Sequence, residues 1–268
     1  MVDTARNFGG SMPEYYDRIM GPAQFERFGS DLARRLPQRP PGDVLEIACG
    51  TGIVTRQLRA RLDPSLRLVA TDLSKAMLEY AKSKIDGAIE WRPADAGALP
   101  FGDREFGAVV CAFGIMFVPD KGLALREARR VLREGGQLLF NVWDGLENNR
   151  HGNVADGVLG RLFPDRPEMK FGSMPYQFND RSAIGGLLAE ARFAPAVMEP
   201  VKLECSAPSA RDFATGQLRG TPRGALIEQS GAPLEPVIDE LARGLAAVGG
   251  EAPFRYSAQA LVVEARAV

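Results

Sequence analysis

Between residues 43 and 143 apolar strands and amphipathic helices alternate without a gap, and this alternation restricts the fold more than any other feature of the chain. Short apolar runs predict strands at 44–48, 66–71, 88–91, 106–112 and 137–143. Between them the spacing predicts helices over 53–62, 74–84 and 121–133. Ser74 is the expected N-cap of the second helix, and Gly135-Gly136 the expected C-cap of the third. Asp63-Pro64 ends the first. Strands joined in this way must run parallel, because each helix carries the chain back across the sheet, and helices then cover both faces.

Outside this block the rhythm changes. Over 14–36, Tyr15, Ile19, Phe25, Phe28, Leu32 and Leu36 keep helical spacing, and Gly21-Pro22 is expected to split the run into two short helices. Prolines and a glycine at 37–42 read as a linker. From 144 to 179 five glycines and three prolines read as loop with some helix. Helical spacing returns at 181–192, strands are predicted at 196–205 and 254–265, and helical patterns fill 209–248, clearest over 234–248. The organisation expected is a helical lid at 1–42, a core at 43–143, and a remainder at 144–268 that completes the sheet. Insertions at about 144–180 and 206–250 would form a substrate cap.

A chain of 268 residues can build one large α/β domain, or one domain with an inserted cap. Its 33 Lys and Arg balance 34 Asp and Glu. The net charge of -1 gives no general attraction for nucleic acid or anionic membranes, so neither is expected as a partner. Cys49, Cys111 and Cys205 are odd in number and far apart, which suits reduced thiols in the cytoplasm rather than a disulfide framework, and no metal site is expected. The most apolar run, 106–118, contains two glycines and is about half a membrane span, so it reads as a buried strand and the loop after it. The opening residues MVDTARNFGG lack the apolar core of a signal peptide. The sequence leaves the oligomeric state open.

The turn after the first strand carries the chemistry. It reads Val44-Leu45-Glu46-Ile47-Ala48-Cys49-Gly50-Thr51-Gly52. Glycines there let a ligand approach the backbone, and the following helix offers free N–H groups. Two ligand types compete for such a turn. A dinucleotide requires Gly-x-Gly-x-x-Gly, but the third position is Thr55; a phosphate loop requires a lysine, and none is present. Glu46, inside the strand, would repel a pyrophosphate and suits a cation. The second strand ends on Asp72, 20 residues beyond Gly52, where a carboxylate can accept hydrogen bonds from both ribose hydroxyls. The third strand is followed by Asp95, which can accept from an adenine amino group.

These segments together are informative. VLEIACGTG, ATDLSKAML, PADAGALPF, FGAVVCAFGIMFVPD and EARRVLREGGQLLF follow one another over 43–143. In that order they resemble the class I S-adenosylmethionine-dependent methyltransferase family, above all the branch of ubiquinone and menaquinone biosynthesis methyltransferases and related small-molecule enzymes. The resemblance implies a Rossmann-like α/β fold, a seven-stranded mostly parallel sheet of order 3-2-1-4-5-7-6, with 254–265 pairing against 196–205. It implies S-adenosylmethionine as cofactor and S-adenosylhomocysteine as product. Glu46, Ala48, Gly50, Thr51 and Gly52 would face the methionine portion. Asp72 would bind the ribose, with Leu73 and Met77 against the adenine and Asp95 and Ala96 at its edge. Ala112 and Phe113 would lie near the transferred methyl, and Tyr16 would close over the cofactor.

The activity so implied is in-line transfer of a methyl group to a small acceptor at O, N or C. Transfer to RNA or protein, and cofactor binding without catalysis, are the competing readings. Tyr15, Phe25, Met116, Phe117, Trp143, Met174 and Tyr176 form an aromatic and methionine-rich set suited to a flat apolar acceptor. His151, the chain's one histidine, is the candidate general base, needed only where the acceptor must lose a proton.

Overall fold

The computed structural model describes residues 10–170 and 175–268. Seven strands form one sheet: β1 (Val44–Ile47), β2 (Leu68–Asp72), β3 (Ile89–Pro93), β4 (Phe106–Ala112), β5 (Leu132–Trp143), β6 (Val197–Ala207) and β7 (Phe254–Arg266). Their order is β3-β2-β1-β4-β5-β7-β6, as the resemblance implies. The first five run parallel; β7 is antiparallel to both β5 and β6. The helices are α1 (Met12–Tyr15), α2 (Glu26–Arg35), α3 (Ile53–Arg61), α4 (Lys75–Lys84), α5 (Lys121–Val131), α6 (Arg150–Leu162), α7 (Arg181–Glu190), α8 (Ala210–Arg219), α9 (Pro222–Gln229) and α10 (Leu234–Gly249).

The central strands are apolar on both faces because both are covered. Leu32 of α2, Leu36 just after it, and Val54 and Leu58 of α3 pack on Val44, Ala108, Val110, Leu139 and Val262. On the opposite face Leu125 and Ala128 of α5 and Ile184 and Leu188 of α7 join Phe106, Val109, Leu138 and Phe140. Ser74 caps α4 as expected, its hydroxyl accepting from the Met77 N–H, a contact worth about 1 kcal/mol.

Three expectations fail for identifiable reasons. Gly21-Pro22 does not split the N-terminal helix. Tyr16–Phe25 forms a continuous π-helical segment between α1 and α2, with the Glu26 N–H bonded five residues back to the Gly21 carbonyl. A proline ring collides with the carbonyl four residues before it, and the wider π turn removes that collision. Gly135-Gly136 does not cap α5, which stops on extended Leu132. The glycines lie in β5, where four residues between Leu132 and Gln137 oppose the single residue between Phe106 and Ala108. Gly135 at φ 72° makes that bulge.

The third concerns proportion: the glycine-rich stretch after β5, read as loop with some helix, carries the 13-residue helix α6 among its described residues. A Cβ on Gly152 of α6 would lie 2.5 Å from the Tyr176 hydroxyl oxygen, so this glycine serves close approach rather than a turn. Helix α10 packs against α6 and α8, and α8 packs against the π-helical segment.

Candidate functional site

Parallel alignment brings the carboxyl ends of β1 to β5 to one edge of the sheet. Beyond β1, Ala48 is held at φ 54°, Gly50 at φ 56° and Gly52 at φ 80°. The left-handed region costs an L-residue roughly 1–2 kcal/mol, so its surroundings must hold Ala48 there. The β4 exit does this at close quarters: a Cβ on Gly114 would lie 2.4 Å from the Ala48 Cβ. A Cβ on Gly50 would meet no heavy atom within 4 Å, so the space in front of the turn is open. Gly52 starts α3, whose free N–H groups therefore begin at the turn.

Three acids, one in β1 and two at the ends of β2 and β3, stand in different states. Glu46 is buried within β1, and its Oε2 has no hydrogen-bond partner. Burial chiefly, with Asp72 adding and the Thr55 hydroxyl opposing, pushes its pKa up to about 8. Asp72 is tied to the backbone: Oδ2 accepts from the Gly50 N–H and Oδ1 from the Ser74 N–H, each at 2.8 Å. It thus fastens the glycine turn to the end of β2, a role beyond the ribose contact that sequence suggested. Burial holds its pKa above the usual carboxylate value, against the pull of those N–H donors. Asp95 is exposed and closes a tight turn by accepting from the Gly97 N–H at 2.8 Å. Thr51 is buried, with its Oγ1 unpartnered. Burial pushes the Cys111 thiol up to about 12 and Cys49 well above its ordinary value, so neither serves as a nucleophile.

Tyr16 is the half-buried first residue of the π-helical segment. Burial, then Asp72, then Asp17, hold its phenol above the ordinary value. Asp17 lies 3.5 Å from both Arg56 Nη1 of α3 and the Tyr80 hydroxyl of α4, spanning the crevice between them. Met77 is buried on α4, and Leu73 and Ala96 are half-buried at the ends of β2 and β3.

On the β4–β5 side the site becomes aromatic. Ala112 ends β4, and Phe113 follows at φ 51°. The Phe113 N–H donates to Asn141 Oδ1 at 2.9 Å, a contact the sequence reading missed. Phe113 stacks on Trp143 at 4.1 Å, with Phe25 and Phe28 at 5.5 and 5.6 Å from it. Tyr16 stacks on Phe25 at 4.9 Å, which joins the two halves of the site. Tyr176 lies 6.2 Å from Trp143. Met116 is buried. Tyr15 lies 5.9 Å from the Arg219 guanidinium on α8, and Phe117 is 38% exposed, so these two stand apart from the ring cluster. Met174 lies outside the described residues.

His151 occupies the first turn of α6 rather than a loop, and it is 1% exposed. Tyr256, Phe213 and Trp143 surround it at 4.6, 5.9 and 6.4 Å. Its Nε2 is 3.5 Å from the Tyr176 hydroxyl, and its Nδ1 has no partner. Burial alone pushes its pKa down to about 3, so the ring is neutral. Phe213 and Tyr256 were invisible as site residues because they lie in elements read only as a helix and a strand. Among the described residues no cluster of three or more His, Cys, Asp or Glu could hold a metal ion. Among them, too, no helix is long and apolar enough to cross a membrane.

Comparison with known proteins meets this geometry at the same residues. Residues 45–140 match the family model described as "Methyltransferase domain". Over these residues the chain is similar to a methyltransferase domain, and its sheet order is that of the class I fold. The chain is 42% identical over 106 residues to a ubiquinone/menaquinone biosynthesis C-methyltransferase of Hahella chejuensis, covering 38% of this chain and 43% of that protein. It is 31% identical over 151 residues to a malonyl-[acyl-carrier protein] O-methyltransferase of the same organism, covering 52% and 53%. The chain therefore spans about half the length of these relatives. Geranyl diphosphate C-methyltransferase of Streptomyces coelicolor, solved with Mg2+, geranyl diphosphate and S-adenosyl-L-homocysteine, shares the methyltransferase fold. Its TM-score is 0.52 at 17% identity over 90% of this chain and 79% of that one.

Proposed function

We propose that this protein transfers a methyl group from S-adenosylmethionine to a small, flat, largely apolar acceptor. The observation that carries the reading is the unpartnered Glu46 Oε2 beside an open glycine turn that Asp72 fastens down. A buried carboxyl without a partner is costly, and a cationic ligand relieves it. The residues present fit the cofactor: Glu46 answers its positive charge, Asp72 keeps lone pairs for ribose hydroxyls, and Asp95 and Ala96 border the adenine. Leu73 and Met77 supply apolar contact, and Ala48, Gly50, Thr51 and Gly52 let the backbone approach. Tyr16 covers the crevice, and Ala112 and Phe113 face the point of transfer.

When bound, S-adenosylmethionine supplies a methyl already activated on a sulfonium. What remains for the chain is alignment and exclusion of water, and alignment is worth roughly 7–11 kcal/mol of barrier. The ring cluster of Phe25, Phe113, Trp143 and Tyr176 supplies the flat apolar walls, with Tyr15, Met116, Phe117 and Met174 as further candidates. The N-terminal helices and the helical stretches within 144–180 and 206–250 serve as lid and cap. At a pKa of about 3, His151 is a poor proton sink, which favours a positioning role over that of general base.

Calorimetry with S-adenosylhomocysteine tests the reading. Saturable binding is expected, and no binding at millimolar ligand would overturn it. Label from methyl-tritiated S-adenosylmethionine should then pass to small aromatic acceptors rather than to RNA or protein.

A further inference from the structure

Two polar atoms of the cap are sealed and unmatched. His151 Nδ1 on α6 and Gln217 Oε1 on α8 have no hydrogen-bond partner, on residues 1% and 4% exposed. Gln217 follows Phe213 by one helical turn, and the Phe213 ring packs on His151 and Tyr256. The neighbouring polar groups do not meet the need. The Tyr256 hydroxyl is engaged at 3.1 Å with the Ala23 carbonyl and Gln24 Oε1. The Tyr176 hydroxyl makes only a long 3.5 Å contact, to the other ring nitrogen of His151. Buried polar atoms in folded proteins are nearly all paired, and each exception calls for a reason.

We propose, resting on the methyltransferase reading, that His151 and Gln217 recognise the acceptor, a neutral flat molecule carrying a hydroxyl or N–H. The aromatic surroundings favour a flat ring. His151 is neutral and the Gln217 carboxamide uncharged, so the pair answers an uncharged donor group. The carboxamide oxygen of Gln217 only accepts, so the ligand must donate. A neutral imidazole offers one donor and one acceptor, and a hydroxyl, which both donates and accepts, suits either nitrogen. Both atoms are sealed in this structure, so entry displaces a covering ring. Tyr176, whose hydroxyl makes only the long contact to Nε2, is the ring that yields, which frees the His151 ring to turn either nitrogen to the acceptor hydroxyl.

The chain has one histidine, so full-length protein grown with 15N-histidine gives a single imidazole spectrum. With S-adenosylhomocysteine saturating, the matched pairs phenol and benzene, then 2-naphthol and naphthalene, are titrated in. The hydroxyl member of a pair is expected to move the His151 ring-nitrogen signals saturably, and the hydrocarbon to leave them nearly still. Gln217→Leu should weaken the hydroxyl probe about fivefold, the loss of one hydrogen bond, with S-adenosylhomocysteine affinity unchanged. Equal shifts from both members of each pair overturn the proposal. So does stillness with all four probes while calorimetry shows S-adenosylhomocysteine bound. Failure of S-adenosylhomocysteine itself to bind removes the methyltransferase reading, and this proposal with it.

Discussion

The β1–β2 side and the β4–β5 side of the site share one sheet edge but are held by opposite means. The first is held by backbone and charge: a left-handed turn, two N–H groups on Asp72 and a buried Glu46. The second is held by ring packing around Phe113 and Trp143, with few polar contacts. Burial acts on both sides and with opposite sign, pushing Glu46 up to about 8 and His151 down to about 3, so that each is mostly neutral near pH 7. The fold consequences follow. Glu46 costs stability as pH rises from 4.5 through 8, and His151 costs stability as pH falls from 6.5 through 3. The comparison implies that the two sides fail differently when damaged.

The largest effect belongs to the ring side. Trp143 is 4% exposed and touches Phe113, Phe25, Phe28 and Tyr176. Trp143→Ala should cost about 3–5 kcal/mol of unfolding free energy in urea, by transfer and cavity together. A loss below 1 kcal/mol would show that the cluster is loosely packed and that the contrast is false. On the charged side, Asp72→Ala should leave far-UV circular dichroism intact. It should weaken S-adenosylhomocysteine at least about 100-fold by calorimetry, since two charge-assisted hydrogen bonds and the tether to Gly50 are lost. Unchanged affinity would reduce Asp72 to a helix-start residue.

Next in size is a pH effect confined to Glu46. Below about pH 8 the group is mostly protonated, and a cationic ligand favours its ionised form. S-adenosylmethionine affinity should therefore rise with pH between 6 and 8, by at most about tenfold per unit, then level off. Glu46→Gln should bind more weakly with a flat profile. A slope that survives in Glu46→Gln would place the titrating group elsewhere.

The same division decided what could be read from sequence. The β1–β2 side was legible because its devices are local: Gly50 and Gly52 sit in one turn, and Ser74 caps the helix that follows Asp72 by two residues. Strand and helix alternation gave the sheet order through resemblance, and the sheet agrees. The ring side is assembled over long range. Phe28, Trp143, Phe213 and Tyr256 come from four separate elements, and no periodicity links them. His151 lies in a stretch whose glycines and prolines read as loop with some helix, yet Asn149 beside it is buried, its side chain bonded to the Asp144, Gly145 and Gln259 carbonyls. The π-helical segment was hidden because Gly-Pro signals a break in an α-helix, not in a wider turn.

The smallest effect asks whether the strain at the turn belongs to the charged side alone. Ala48 and Phe113 both sit at positive φ, at the ends of β1 and β4, and Gly114 brings them together. At Ala48 a glycine relieves roughly 1–2 kcal/mol of left-handed strain and adds about 0.4–1 kcal/mol of unfolded-chain entropy. Ala48→Gly should therefore stabilise the fold by up to about 1.6 kcal/mol in urea titration. If Ala48 is held left-handed to shape the turn for its ligand, this gain comes with weaker S-adenosylhomocysteine binding, because glycine lets the turn sample other shapes. Stabilisation with affinity unchanged would mean that the Asp72 tether to Gly50 fixes the turn unaided. The strain would then be a by-product of the close β1–β4 approach at Gly114.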